Sequence, residues 1–417
     1  MIEPLPLAKN KKEWFYIIFI LLLIFTANIS YEYTKYKEFK SQEIYTTQAK
    51  VINIYPKRLY DIVKLQSSNI TFFTKYKQKP YLKQLDLVEV TIVTQKIKFI
   101  DYLKGFYASS FNIHALPSNI TIQKILSTDI KQQHKSNQIS ELFNALFFAI
   151  PTSKEMKQIF ASYGVSHLVA ISGFHLGVLS FVLYWLLYIF YTPLKRKYFP
   201  YRNTRFDLLI VTSLVLFIYL LFLGLVPSFL RAFVMFILGI FFLRSNIKII
   251  SFQTLGLVVL FIIALFPKLL FSLSLWFSVA GVFYIFLFLQ YFKNMNKVFQ
   301  FLLFNVWIYL AMNPITHFFF GTTSLEQLYS PILTLGFSVF YPLEVFLHII
   351  DKGSMLDIYL QMWIDTKVVT KEIFTPLWVF IVYIIISFLS IPCPKWFRTL
   401  NLSFIAFNLW LYISYVS

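Results

Sequence analysis

Residues 160–177 read FASYGVSHLVAISGFHLG and open an apolar run that continues to residue 191. The run is long enough to cross a bilayer, yet its first half carries His167, His175, Ser172 and three glycines. A helix that had only to dissolve in lipid would not need them. Read as one helix, Ser166, Ala170, Gly173 and Gly177 follow one another at spacings of 4, 3 and 4 and share a nearly bare face. Such a face lets a neighbouring backbone approach closely. His167 and His175 would then sit roughly 80° apart around the axis, with Ser172 one turn before His175. Polar groups inside a membrane mark a pathway or a site; the plainer reading is a tightly packed helix pair with a histidine at its interface.

The 417 residues are 58% hydrophobic, 20% aromatic and only 14% charged. No soluble domain hides that much apolar side chain, so the fold class expected is a polytopic α-helical membrane protein. The net charge of +19 is spread over short basic clusters, and the single cysteine, Cys393, excludes an internal disulfide and a cysteine-based metal site.

Residues 1–13 are short and basic, with Lys9, Lys11 and Lys12, and residues 14–29 make an apolar first span. Residues 1–30 therefore read as a cytoplasmic tail and an uncleaved span. Residues 31–140 break the pattern: β-branched runs at 48–55 (QAKVINIY), 70–73 (ITFF) and 87–93 (LVEVTIV) stand between polar breaks. Here 17 Lys and Arg face 8 Asp and Glu. This predicts a basic, β-rich extracytoplasmic domain, in which Phe72, Phe73 and Tyr76 are candidate stacking platforms for nucleic acid. The plainer alternative is a structural module with a solvated basic surface.

Residues 141–417 read as a multi-span bundle. The apolar stretch 142–150 is too short to cross and ends at Pro151, so it is expected to be interfacial or re-entrant. Spans then follow at 167–191, 206–226, 227–243, 249–266, 269–292 and 299–313, and basic loops orient them with clean alternation. Residues 314–326 are too polar for lipid, and further apolar runs lie at 328–350, 374–391 and 400–416. Strict alternation would place Lys395 and Arg398 outside, against the positive-inside rule; a re-entrant pair within 299–350 would repair the count. With this orientation the unusual residues gather at the outer ends of their spans: His167, Ser172 and His175; Arg231 behind Pro227-Ser228; Ser272, Ser274 and Ser278; Asn313, Pro314 and Gly321. A polar funnel open to the outer side admits a hydrophilic cargo, and an inward-facing Arg231 would suit an anionic one. Snorkelling of Arg231 to the interface is the alternative.

The motif HLVAISGFHLG at 167–177, followed by PSFLRA at 227–232, resembles the ComEC family of competence proteins. Gly164, Ser166, His167, Leu168, Ala170, Ile171, Ser172, Gly173, His175 and Gly177 fit its first pattern, and Pro227, Ser228, Arg231 and Ala232 its second. A third, serine-rich pattern is matched loosely by Pro267 and residues 274–278, where Trp276 replaces the usual glutamine, and a fourth around Asn313, Pro314, Phe320 and Gly321 is weaker. The resemblance implies transport of single-stranded DNA across the cytoplasmic (inner) membrane during natural transformation, an OB-like fold for residues 31–140, an external DNA receptor and possible homo-oligomers. Longer family members end in a metallo-β-lactamase-like domain. The six histidines here (His114, His134, His167, His175, His317, His348) contain no H-x-H-x-D-H run, so this chain is expected to be a short form without a two-metal hydrolase.

No catalytic residue, metal site or cofactor is expected on this reading. With no G-x-x-x-x-G-K loop the chain is not its own motor, and a cytoplasmic helicase-like partner would have to pull. Two alternatives remain at this point. One is an intramembrane serine hydrolase, in which Ser172 would be the nucleophile and His167 or His175 its base. The other is a transporter of small solutes or lipid intermediates.

Overall fold

The computed structural model describes residues 10–67, 70–77, 82–116, 121–245 and 248–417; most of the basic N-terminal tail, Lys9 included, lies outside the described residues. Helix α1 runs unbroken from Lys11 to Ser41. It therefore crosses the boundary expected at residue 30, and its last turns bury Tyr36 and Phe39 in the core of the β domain. That domain is built from β1 (Ile44–Pro56), β2 (Asp61–Gln66), β3 (Thr71–Tyr76), β4 (Leu87–Val93), helix α2 (Phe99–Lys104), β5 (Phe106–Tyr107) and β6 (Ser110–Ala115). The strands alternate buried and half-buried residues, as a sheet with one core face requires. β1 pairs antiparallel with β2 and β4, and β2 with β3. β5 continues the sheet beside β3 and β6 beside β4. Only two residues separate β5 from β6, and Thr74 and Ser110 bond at 2.5 Å, so one stretch of chain bridges both edges and the sheet closes on itself.

Two amphipathic helices, α3 (Ile122–Gln133) and α4 (Asn137–Phe148), lead from the β domain. Lys124 pairs with Asp86 at 3.1 Å, and Lys50 reaches the side chain of Gln123 at 2.8 Å. The stretch expected at the interface, 142–150, is the buried half of α4. Short helices α5 (Lys154–Ser162) and α6 (Ser166–Val169) follow, and then the long ones: α7 (Gly173–Tyr198), α8 (Thr204–Phe222), α9 (Pro227–Arg244), α10 (Phe252–Leu265), α11 (Leu273–Phe292) and α12 (Lys297–Phe319). After strand β7 (Thr322–Thr323) come α13 (Ser330–Ile349), α14 (Asp357–Asp365), β8 (Lys371–Glu372), α15 (Leu377–Leu389) and α16 (Pro394–Val416). Among the described residues, seven helical stretches are long and apolar enough to cross a membrane. This is a multi-pass membrane protein.

Length and hydropathy make α13 a candidate crossing, and its neighbours tie it along its whole length. At its start, the Ser330 hydroxyl donates to the Gly164 carbonyl between α5 and α6. Midway, Phe337 and Tyr341 pack on His175 at the first turn of α7. At its end, His348 meets His134 beyond α3. β7 pairs with β8, so the chain leaves and returns at one level. Both ends of α13 thus lie at the end of the bundle that holds the β domain. α12 runs unbroken from Lys297 to Phe319, and α13 packs beside α4, α5, α6 and the start of α7.

Asn313 is not at a break. α12 continues through Pro314, whose carbonyl accepts from the Thr375 hydroxyl. The Asn313 amide donates to Asn408 Oδ1 on α16 at 2.6 Å, and Asn408 donates to the Phe404 and Leu310 carbonyls. Asn313 therefore clamps two helices. Replacing Asn313 by leucine should lower the stability of the detergent-solubilised protein by about 0.6–2 kcal/mol, the range for interhelical polar bonds in membranes. A thermal melt beside the Asn408→Leu and double variants measures the coupling.

Candidate functional site

The first motif is not a single helix. α6 stops at Val169, Ala170–Ser172 is extended, and α7 begins at Gly173. The expected common face of Ser166, Ala170, Gly173 and Gly177 therefore does not exist, and the 80° relation between His167 and His175 goes with it. The break has a local cause. Ser172 caps α7: its hydroxyl accepts from the Phe174 amide (3.3 Å), and its own amide donates to His175 Nδ1 (3.2 Å). This reciprocal arrangement is a capping box with histidine in the third position. Broken backbone near membrane depth is tolerated only where its polar groups find partners inside the protein.

The box also fixes the chemistry of the pair. Nδ1 of His175 accepts from an amide, so the neutral ring carries its proton on Nε2. That nitrogen is wholly buried and has no hydrogen-bond partner; the ring meets Tyr341 edge-on at 4.8 Å between centroids. The Ser172 hydroxyl lies 3.3 Å from Nδ1, but the lone pair a general base would need is engaged by the backbone. The geometry favours a cap over a nucleophile and base.

The two best-defined motifs meet here. Ile171 and Leu176 share a core with Phe229, and a Cβ placed on Gly173 would lie 3.6 Å from that of Ala232. Gly173 is thus the close approach between α7 and α9, whereas a Cβ on Gly177 would meet nothing within 4 Å; Gly177 is no packing seam. Arg231, on the same stretch of α9 as Ala232, is only 4% exposed. Its side chain is buried in protein, not extended to the surface. His167 is exposed and comes within 3.4 Å of the Thr334 hydroxyl on α13. His167, Ser172, Gly173 and His175 thus lie where α7 and the turn before it meet α13 and α9, and Arg231 is next in the chain to the Ala232 that faces Gly173. Ser278 sits half-buried on α11, whose main partners are α9, α10 and α12, and Asn313 belongs to the separate α12–α16 cluster.

The β domain corrects the candidate platforms. Phe72 is fully buried and Tyr76 is 6% exposed, so both are core. Phe73 faces the other way, opposite Lys64 in the β2–β3 register and Tyr107 in the β3–β5 register. Lys64 lies over the Phe73 ring (5.7 Å), Lys75 over Tyr60 (4.9 Å) and Lys157 of α5 over Tyr55 (5.8 Å); Tyr55 and Phe73 are 6.4 Å apart. Burial lowers the pKa of Lys64 and of Lys157; the Glu141 carboxylate pulls Lys157 back up, and the charge of Lys64 lowers it. Two crowded cations over aromatic rings form an anion-seeking face that joins the β domain to α5. Of the three candidates Phe73 alone faces away from the core; Lys157 is too distant in the chain to be foreseen.

A closed β domain fused to a bundle that holds broken helices and buried polar groups defines a polytopic membrane protein built around a polar site. Residues 151–351 match the family model described as Competence protein. That stretch is a competence-protein domain, which supports membership of the ComEC family and a role in DNA uptake. No curated protein and no solved structure matches it.

If Ser172 is a cap, Ser172→Ala should cost about 0.5–2 kcal/mol of stability, while Ser172→Asn, which can also cap, should restore both the melting temperature and DNA uptake. A dead but fully stable Ser172→Asn protein would point to the hydroxyl itself.

Proposed function

We propose that this chain passes single-stranded DNA inward across the cytoplasmic membrane, acting sterically and electrostatically without making or breaking bonds. The observation that carries this reading is the face formed by Tyr55, Lys64, Phe73, Lys75 and Tyr107, continued by Lys157. Stacking on aromatic rings and phosphate contacts from lysines suit a strand whose bases are free. The strand order supports an OB-like fold: β1 lies between β2 and β4, and the 106–115 stretch closes β3 onto β4. From that face the strand would pass α5 to the convergence of α7, α9 and α13, where buried Arg231 suits a polyanion.

The same reading orients the bundle. With α13 kept in the outer layer, α15 runs inward, and Lys395 and Arg398 join Lys293 and Lys297 on the cytoplasmic side, as the positive-inside rule asks. The contacts agree, since Tyr291 of α11 stacks on Phe397 of α16 at 3.9 Å and donates to the Ser390 carbonyl. The N-terminus is then cytoplasmic, and the β domain and the C-terminus are extracytoplasmic. An external receptor would deliver the strand and a cytoplasmic helicase-like motor would pull it.

The test uses the full chain in lipid nanodiscs, titrated with labelled single- and double-stranded oligonucleotides at several salt concentrations. Single strands should bind more tightly, with a log–log salt slope of about −0.7 per phosphate neutralised. Phe73→Ala should weaken binding by about 1–3 kcal/mol, whereas Phe72→Ala should destabilise the β domain. Absence of binding at low salt would refute capture by this face. Arg231→Ala should leave protein levels intact and abolish entry of labelled DNA into the cytoplasm; normal transformation in that variant would remove Arg231 from the pathway.

A further inference from the structure

Beyond α3, at the far end of α13, lies a cluster that the transport reading does not use. His134 Nδ1 is 2.8 Å from Asp357 Oδ1 on α14. The two imidazoles face each other, with His134 Nε2 2.9 Å from His348 Nε2. His348 Nδ1 lies 2.7 Å from the Glu344 carbonyl oxygen and 3.4 Å from the Glu344 carboxylate. His134 and His348 are 7% exposed and Glu344 is not exposed at all. Phe143 packs on both rings, with centroids at 4.8 and 4.4 Å.

The protons can be counted from the acceptors. Asp357 offers a carboxylate and Glu344 a carbonyl oxygen, neither of which donates when the carboxylate is ionised, so each Nδ1 must bring a proton. The bond between the two Nε2 atoms needs a third. Two neutral imidazoles carry two protons between them; three bonds in series require three, and hence one imidazolium shared by the pair.

We propose that His134 and His348 form a buried proton-binding site, a clasp that closes α13 onto α3 and α14 when a third proton is held and opens when it is lost. Without that proton two lone pairs face each other at 2.9 Å, so one of the three bonds must break. The flanking charges favour the closed state: the Asp357 and Glu344 carboxylates lie on either side, and Asp351 holds Gln133 at 3.3 Å beside the cluster. Asp129, Lys131, Lys135 and Lys352 are exposed, and α4 presents phenylalanine rings to the pair. Burial lowers the proton affinity of His134 while Asp357 raises it. Burial being the larger effect, the third proton is held only below the ordinary imidazole range, so the clasp is closed in acid and open above it. Because the folded chain then holds that proton less tightly than an unfolded imidazole does, taking it up in acid costs stability relative to the open, neutral pair.

The clasp bears on the site described above, because α13 also carries Phe337 and Tyr341, which pack on His175. The loop before α14 is fitted to the closed state: a Cβ on Gly353 would fall 2.7 Å from His348 Nε2 and 2.6 Å from Gln133 Oε1.

The experiment is solid-state NMR of the full chain with ¹⁵N-labelled histidine, in lipid, at pH 5 and pH 8. Among the described residues this pair has its ring nitrogens in direct hydrogen-bond contact, so a ¹⁵N–¹⁵N correlation identifies it without a variant. Three protonated nitrogens on the pair at pH 5 and two at pH 8 are expected. The same count at both values overturns the proposal. So does a count of two at pH 5 with both protons on Nδ1, the state a bridging metal ion would leave. A second readout uses thermal melting: the native chain should melt lower at pH 5 than at pH 8, and His348→Gln and Gly353→Ala should lose that difference. A variant that keeps it would show that the clasp does not hold α13. Neither readout depends on what crosses the membrane.

Discussion

Backbone that leaves a helix at membrane depth must have its amide and carbonyl groups satisfied by the protein itself. In this chain that demand falls on Ala170–Ser172, between α6 and α7, and the Ser172–His175 box meets it. Much follows from so small a device. Because α7 starts at Gly173, that glycine is placed against Ala232 of α9. Because Nδ1 of His175 is spent on an amide, its Nε2 points into the aromatic packing of α13. The meeting of α7, α9 and α13 is arranged around a turn of three residues.

The second organising fact is that α13 has an apolar surface for two reasons at once. One side packs on α4 and α7 through Phe337, Phe340 and Tyr341, while Ile332, Val339, Phe346 and Ile349 remain exposed. A helix set between a bundle and a layer of short helices has the composition of a span while part of its shelter comes from protein. Hydropathy measures what a segment avoids, which is water, and is silent on whether lipid or protein supplies the shelter.

This explains what could be read in the sequence. β4 at Leu87–Val93 is as expected because period-two alternation survives in a half-buried strand. The misreadings have both local and distant causes. Residues 166–177 have helical spacing, yet the capping box that breaks the helix uses histidine where glutamate or glutamine is usual. Asn313 looked like a polar break because its partner, Asn408, is 95 residues away. Phe72 and Phe73 are neighbours in sequence and lie on opposite faces of one strand, and only the register decides which is core. His134 and His348 are separated by 214 residues, so nothing local announces them.

The continuity of α1 has a mechanical consequence. At 31 residues it is about 46 Å long, against about 30 Å for the hydrocarbon core of a bilayer. The remainder is a rigid stalk whose tip, through Tyr36 and Phe39, is part of the β domain, and whose shaft is held to α10 where Asn28 donates to the Ala264 carbonyl. A tether of loop would let the domain swing; a stalk of helix makes it a lever. Any force on the β domain is delivered as torque to the α10–α11 connection, where Lys268 grips Glu32 at 2.9 Å.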